Sequence, residues 1–192
     1  PILLPAAAAV WLRLTRAEGK RMEAALFILV LLNSALVWAL ILRRPPQELT
    51  LFGFTGDLTV TLRLDGVGSV FAGLVAALWP LATLYAYSYM HEDKRINVFL
   101  TCYTLTYSVT LGIAFAGNLL TLYLFYEMLT LATVPLVMHD MTREALAAAR
   151  KYLYYSLGGA AFAFMGIVFL SFYGATLDFT PLAAHINSGM ML

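Results

Sequence analysis

Met22–Leu42 is an apolar run long enough to cross a lipid bilayer, and four more follow it: Gly66–Met90, Asn97–Ala116, Asn118–Met138 and Tyr152–Tyr173. A helix needs about 20 such residues to span the hydrocarbon core. In lipid every backbone N–H and C=O has to be bonded inside the protein, so only helices or closed barrels can span. Runs of this length select helices. Pro1–Leu14 is apolar but short, and it reads as a first span missing its beginning. The chain starts at Pro1 without an initiator Met or a charged leader pattern, so it reads as a piece of a longer protein. Gly174–Leu192 carries turn residues and then the start of another span.

Composition agrees. Hydrophobic residues make up 61% of the chain and charged residues 12%, with a mean hydropathy of +0.80. Soluble domains carry roughly a quarter charged residues. The net charge is +1, and no basic patch with interleaved aromatics points to nucleic acid. The bilayer is the expected partner. Cys102, the single cysteine, can form neither an internal disulfide nor a metal cluster and reads as a small packing residue. No metal site or cofactor motif is present: there is no phosphate-cradling loop, no His-Glu-x-x-His and no nucleophile elbow.

Leu49–Leu64 breaks the helical pattern. Apolar and polar residues alternate from Leu58 to Leu64, and Thr55-Gly56-Asp57 offers a turn. That is a β-hairpin signal, and an open sheet edge belongs at the membrane surface. Loops one, three and five hold nine of the twelve Lys and Arg residues, among them Arg13, Arg16, Lys94, Arg95, Arg143 and Lys151. Those loops are expected to be cytoplasmic and the hairpin extracytoplasmic. Ala145–Ala149 reads as the end of a short amphipathic surface helix, with the sixth span starting after it. The expected fold is a single all-α polytopic membrane domain over 1–192, with about six transmembrane helices and one short hairpin.

Glu127 stands near the middle of Asn118–Met138, among Leu124, Phe125, Tyr126, Met128 and Leu129. An ionisable residue at that depth costs about 2.5–3.5 kcal/mol on insertion scales, so it faces a bundle interior or a water-filled cavity. Glu127 is either a group that holds and releases a proton or a carboxylate hydrogen-bonded between helices. Asn118 reads as the N-cap of the same helix, and Asp65 as the cap of the third span. Thr130 and Thr133 can bond back to the backbone or order water. Pro80 and Pro135 bend their helices or free a carbonyl. Lys151 is either an interfacial anchor or a cation tuning the proton path. His139 and Asp140 read as interfacial, Tyr85, Tyr87 and Tyr89 as an anchoring belt, and His185 is unassigned.

The run from Ala116-Gly117-Asn118 through Tyr126-Glu127 resembles the fifth-helix signature of the antiporter-like subunits of respiratory complex I (NADH:quinone oxidoreductase). The same family includes large subunits of Mrp-type Na⁺/H⁺ antiporters and membrane subunits of energy-converting hydrogenases. Leu64-Asp65-Gly66, Tyr87-Ser88-Tyr89-Met90 and Lys151-Tyr152-Leu153 resemble its weaker marks. The resemblance implies about fourteen helices with two inverted five-helix repeats, of which this chain supplies those up to the sixth. It implies that Glu127 pairs with a lysine on a broken seventh helix, after Leu192. Two departures stand out: Tyr126 where complex I often has Trp, and Ser156-Leu157-Gly158-Gly159 without the acidic residue some members carry.

The implied function is a proton-translocating subunit of a complex I-like oxidoreductase, in a bacterial or archaeal inner membrane. Glu127 would lie in the ion path and Lys151 would tune it. The carried ion is H⁺ or Na⁺, and electrons pass elsewhere, since the chain has no cofactor signature. An Mrp antiporter or hydrogenase subunit is the alternative, and a structural scaffold subunit is the alternative of another class.

Overall fold

A computed structural model describes residues 1–15, 19–43, 48–55, 58–90, 93, 95–173 and 176–179. The elements run α1 Leu3–Thr15, α2 Lys20–Arg43, β1 Glu48–Thr55, β2 Leu58–Arg63, α3 Gly66–Tyr89, α4 Ile96–Ala114, α5 Leu119–Val137 and α6 Arg143–Phe172. Among the described residues five helices, α2 to α6, are long and apolar enough to cross a membrane. The expectation of a membrane-spanning α fold with a small hairpin is met. Of the six expected spans, the first stands apart. At 13 residues α1 is about 20 Å long, short of a 30 Å hydrocarbon core.

As expected, α5 runs through Pro135 to Val137, and α3 runs through Pro80 to Tyr89. Each proline leaves the carbonyl four residues earlier, on Leu131 and Ala76, without its helical donor. One boundary changes, at Lys151. A separate surface helix was expected before it, but α6 is one helix of 30 residues. Glu144-Ala-Leu-Ala-Ala-Ala-Arg-Lys151 are all strong helix formers with no breaker among them, so nothing ends the first segment. Thr142 starts α6 by accepting from Ala145 N–H at 3.0 Å.

α4 is the hub, packed on α1, α3 and α5. One core cluster joins Val30 and Val37 of α2, Ala72 and Ala76 of α3, and Tyr107 and Leu111 of α4. A second joins Ala8 and Leu12 of α1 with Met22 and Leu26 of α2 and Leu100 of α4. α4 and α5 approach closely because Gly112 has no side chain: a Cβ there would overlap the Phe125 ring. α6 leans on α5 and leaves Phe162 and Phe172 exposed, as a lipid-facing helix does.

The hairpin is antiparallel, Glu48 opposite Arg63, with register shifts at Thr50/Phe52 and Gly53/Thr55. The free edge of β2 is covered by the α4–α5 turn. Arg63 N–H donates to Phe115 O at 2.7 Å, and Gly117 N–H donates to Thr61 O at 2.8 Å. The turn acts as a third strand, which removes an edge that would otherwise leave unpaired donors and acceptors. Gly117 is required for this approach, because a Cβ would sit 2.6 Å from Thr61 Oγ1.

Candidate functional site

Asn118 caps α5 as the sequence suggests, accepting from Thr121 N–H at 2.8 Å. It also does what the sequence does not show. Its Nδ2 donates to Thr59 O at 2.7 Å, and Thr121 Oγ1 accepts from Thr61 N–H at 2.9 Å. The start of α5 is thus bolted to the hairpin. Leu119 N–H further donates to Leu177 O at 2.9 Å, so the chain beyond α6 returns to the same place.

This anchorage sets the rotation of α5. Phe125 turns to α4, and the opposite face, Tyr123, Glu127 and Thr130, turns to α6. Tyr123 meets the Phe164 ring at 5.6 Å. Thr130 Oγ1 and Ser156 Oγ share a hydrogen bond of 2.9 Å, and Thr133 Oγ1 and Tyr152 Oη share one of 2.8 Å. These pairs run in antiparallel register, which places Glu127 at the level of Gly159 and Ala160. Small residues there leave room beside the carboxylate. Glu127 Oε1 is buried and has no hydrogen-bond partner among the described residues. A buried carboxylate oxygen without a partner carries a desolvation cost that a packed structural contact would relieve.

Lys151 is exposed on α6, and no ion pair within 4.0 Å joins it to Glu127. It lies about two and a half helical turns from the level of the carboxylate. Thr130 and Thr133 also bond back to the Tyr126 and Leu129 carbonyls, at 3.3 and 3.0 Å. Asp65 accepts from Gly68 N–H at 2.6 Å and caps α3 as expected. Tyr85 and Tyr89 stack at the exposed end of α3, while Tyr87 instead donates inward to Glu23 O at 2.9 Å. Cys102 is half-buried and free, and no cluster of metal-ligating side chains occurs among the described residues. His185, Arg16 and Lys94 lie outside the described residues.

His139 is not a solitary interfacial residue. Its Nε2 meets Asp93 Oδ2 at 2.9 Å, joining the end of α5 to the α3–α4 connection. The Arg95 backbone N–H, donating to Asp93 at 2.6 Å, and then His139 hold this carboxyl below its usual range. The residues lie 46 apart in sequence, so no local spacing could have paired them.

The family described as NADH:quinone oxidoreductase/Mrp antiporter, transmembrane, matches residues 116–192, which include α5 with its Asn118 cap and Glu127. The matched stretch, the C-terminal part of the chain, is similar to the antiporter-like family. It is 30% identical over 122 residues to Na(+)/H(+) antiporter subunit A1 of Staphylococcus aureus (strain bovine RF122 / ET3-1), a match covering 62% of this chain and 15% of that one. The same subunit of strain JH9 matches to the same extent. The chain therefore spans a small fraction of the length of these curated relatives. Its fold is similar to a chain of the membrane-bound sulfane sulfur reductase, an archaeal respiratory membrane complex, with a TM-score of 0.75 at 20% identity. That match covers 91% of this chain and 36% of the other.

Proposed function

We propose that this antiporter-like membrane chain forms part of a cation path in which Glu127 holds and releases a proton. The observation that carries the reading is the buried, unpartnered Glu127 oxygen on the α6-facing side of α5. A carboxylate that served only to tie helices would spend its oxygens on neighbouring donors. The α5–α6 seam supplies such donors one turn away, and they bond to each other instead. A group left without a fixed partner can change protonation as a neighbouring charge approaches or leaves. Lys151, exposed and offset along α6, supplies positive charge near the surface end of this seam; it is not the pairing partner.

The Mrp-type antiporter reading is supported by the relatives named as Na(+)/H(+) antiporter subunits. A second reading, a subunit of a redox-driven complex in a prokaryotic inner membrane, is supported by the fold match to a respiratory membrane complex. The complex I-like assignment drawn from the residues belongs to that second reading. In both readings the chain works with other membrane subunits, and the carried ion is H⁺ or Na⁺.

The test replaces Glu127 by Gln and by Ala in the complete protein, with cation transport measured in sealed vesicles beside assembly of the complex. Glu127→Gln should assemble normally and lose at least about tenfold in transport. Normal transport in both variants overturns the proposal. Failure of assembly in Glu127→Ala, with full transport in Glu127→Gln, would make the carboxylate a structural tie.

A further inference from the structure

The α2–α3–α4 interface contains polar groups that neither the antiporter signature nor Glu127 uses. Asn33, near the middle of α2, is fully buried, and neither its Oδ1 nor its Nδ2 makes a hydrogen bond of acceptable geometry. It lies close enough to Tyr107 to act on its hydroxyl. Tyr107, also fully buried, shares a hydrogen bond of 2.9 Å with Ser34. Trp79 of α3 stacks on both Tyr107 and Tyr103, at 5.0 and 5.1 Å, and its indole Nε1 is buried without a partner. Tyr103 Oη is buried without a partner as well.

These residues form a column. Phe99, Tyr103 and Tyr107 lie four residues apart on one face of α4, and Phe99 meets the His139 ring at 5.6 Å. A cleft of about 730 Å³ opens at that end, lined by Asp93, His139, Asp140, Phe99, Tyr103 and Tyr89. Tyr103 is therefore the inner wall of a polar-mouthed cleft and the outer end of the buried column. From Tyr103 the column leads past Trp79 and Tyr107 to Ser34 and Asn33, at mid-membrane depth.

We propose that this interface takes up a short file of water molecules, entering from the Asp93–His139 cleft and ending on Asn33 and Ser34. Buried polar atoms without protein partners are satisfied by ordered water where the site is polar, and a buried water makes two to four hydrogen bonds. Four such atoms lie along one column: Asn33 Oδ1, Asn33 Nδ2, Trp79 Nε1 and Tyr103 Oη. The Tyr107–Ser34 hydroxyl pair continues the chain of exchangeable protons between them. The file is a half-channel, open on the Asp93–His139 side and closed beyond Asn33 by Val37, one turn further along α2 in the apolar core. It is separate from the α5–α6 seam, so it stands or falls independently of Glu127.

Hydroxyl-radical labelling by X-ray radiolysis tests it, because buried rings are oxidised efficiently only beside bound water. The complete protein in lipid nanodiscs would be pulsed with a soluble tyrosine reporter as the dose standard. Tyr107, fully buried, should label, as should the half-buried Trp79 and Tyr103. In Asn33→Leu the labelling of Trp79 and Tyr107 should fall at least about fivefold while Tyr103, at the cleft, keeps its level. Tyr107→Phe, which removes one hydroxyl and keeps the ring, should lower Trp79 labelling in a protein of unaltered fold, so a folding defect in Asn33→Leu leaves the test intact. Trp79 and Tyr107 labelling at the level of dry buried rings overturns the proposal. So does labelling that neither substitution changes.

Discussion

Thr121, in the first turn of α5, accepts a hydrogen bond of 2.9 Å from the Thr61 backbone N–H of the hairpin, with both residues buried. A surface hairpin thereby sets the position of the helix that carries Glu127. Asn118 completes the joint by capping α5 and holding Thr59 O.

Removing the joint should loosen the helix before it touches the carboxylate. Asn118→Ala loses the cap and leaves the Thr59 carbonyl without its donor, a combined cost of about 1–3 kcal/mol. Thr121→Ser keeps the acceptor and should be nearly neutral, whereas Thr121→Val should destabilise. Thermal unfolding in detergent micelles, followed by Trp fluorescence, reads the order Thr121→Ser, Thr121→Val, Asn118→Ala.

The α4–α5 contact depends on the missing side chain at Gly112. Gly112→Ala places a methyl against the Phe125 ring and should cost about 1–3 kcal/mol by overpacking. Phe125→Leu in the same chain should recover part of that loss. A double-mutant cycle on unfolding midpoints checks it; strictly additive effects would mean the two residues do not meet.

The α5–α6 hydroxyl pairs should contribute little individually. Interhelical hydrogen bonds in membranes average about 0.6 kcal/mol in double-mutant cycles. Thr133→Val with Tyr152→Phe should give a coupling of that order, and a coupling above about 2 kcal/mol would show a more enclosed seam than the structure has.

Acid should weaken the Asp93–His139 tie. Asp93 is held below the ordinary aspartate pKa of about 3.9 by the Arg95 N–H and by His139. A depressed carboxyl stabilises the fold above its unfolded pKa and loses that contribution as pH falls through its folded pKa. The stability gap between the wild type and Asp93→Asn should therefore be full at pH 6 and shrink below about pH 4. Unfolding midpoints across pH 3–7 measure it, and a gap that widens in acid contradicts the assignment.

Much of this architecture was legible in the residues. Hydropathy located α2 to α6, alternation from Leu58 to Leu64 located β2, and Asp65 and Asn118 announced their caps. The start of α6 was misplaced because a basic pair at Arg150-Lys151 looked like a boundary. In fact charge at a membrane surface does not interrupt a helix whose residues all favour one. Helix rotation was not legible at all. In lipid, apolar side chains suit a neighbouring helix and the surrounding tails equally, so the buried face leaves no periodic mark.

What the sequence determined by itself is therefore the list of spans, the hairpin and the energetic anomaly of Glu127, because each follows from the local cost of putting a residue type in lipid. Only the tertiary structure decided which face of α5 meets α6, that the hairpin bolts onto Asn118 and Thr121, that His139 finds Asp93, and that Asn33 and Tyr107 share one column. Those contacts join residues 19 to 73 positions apart, and they depend on how rigid helices dock, which no local pattern along the chain encodes.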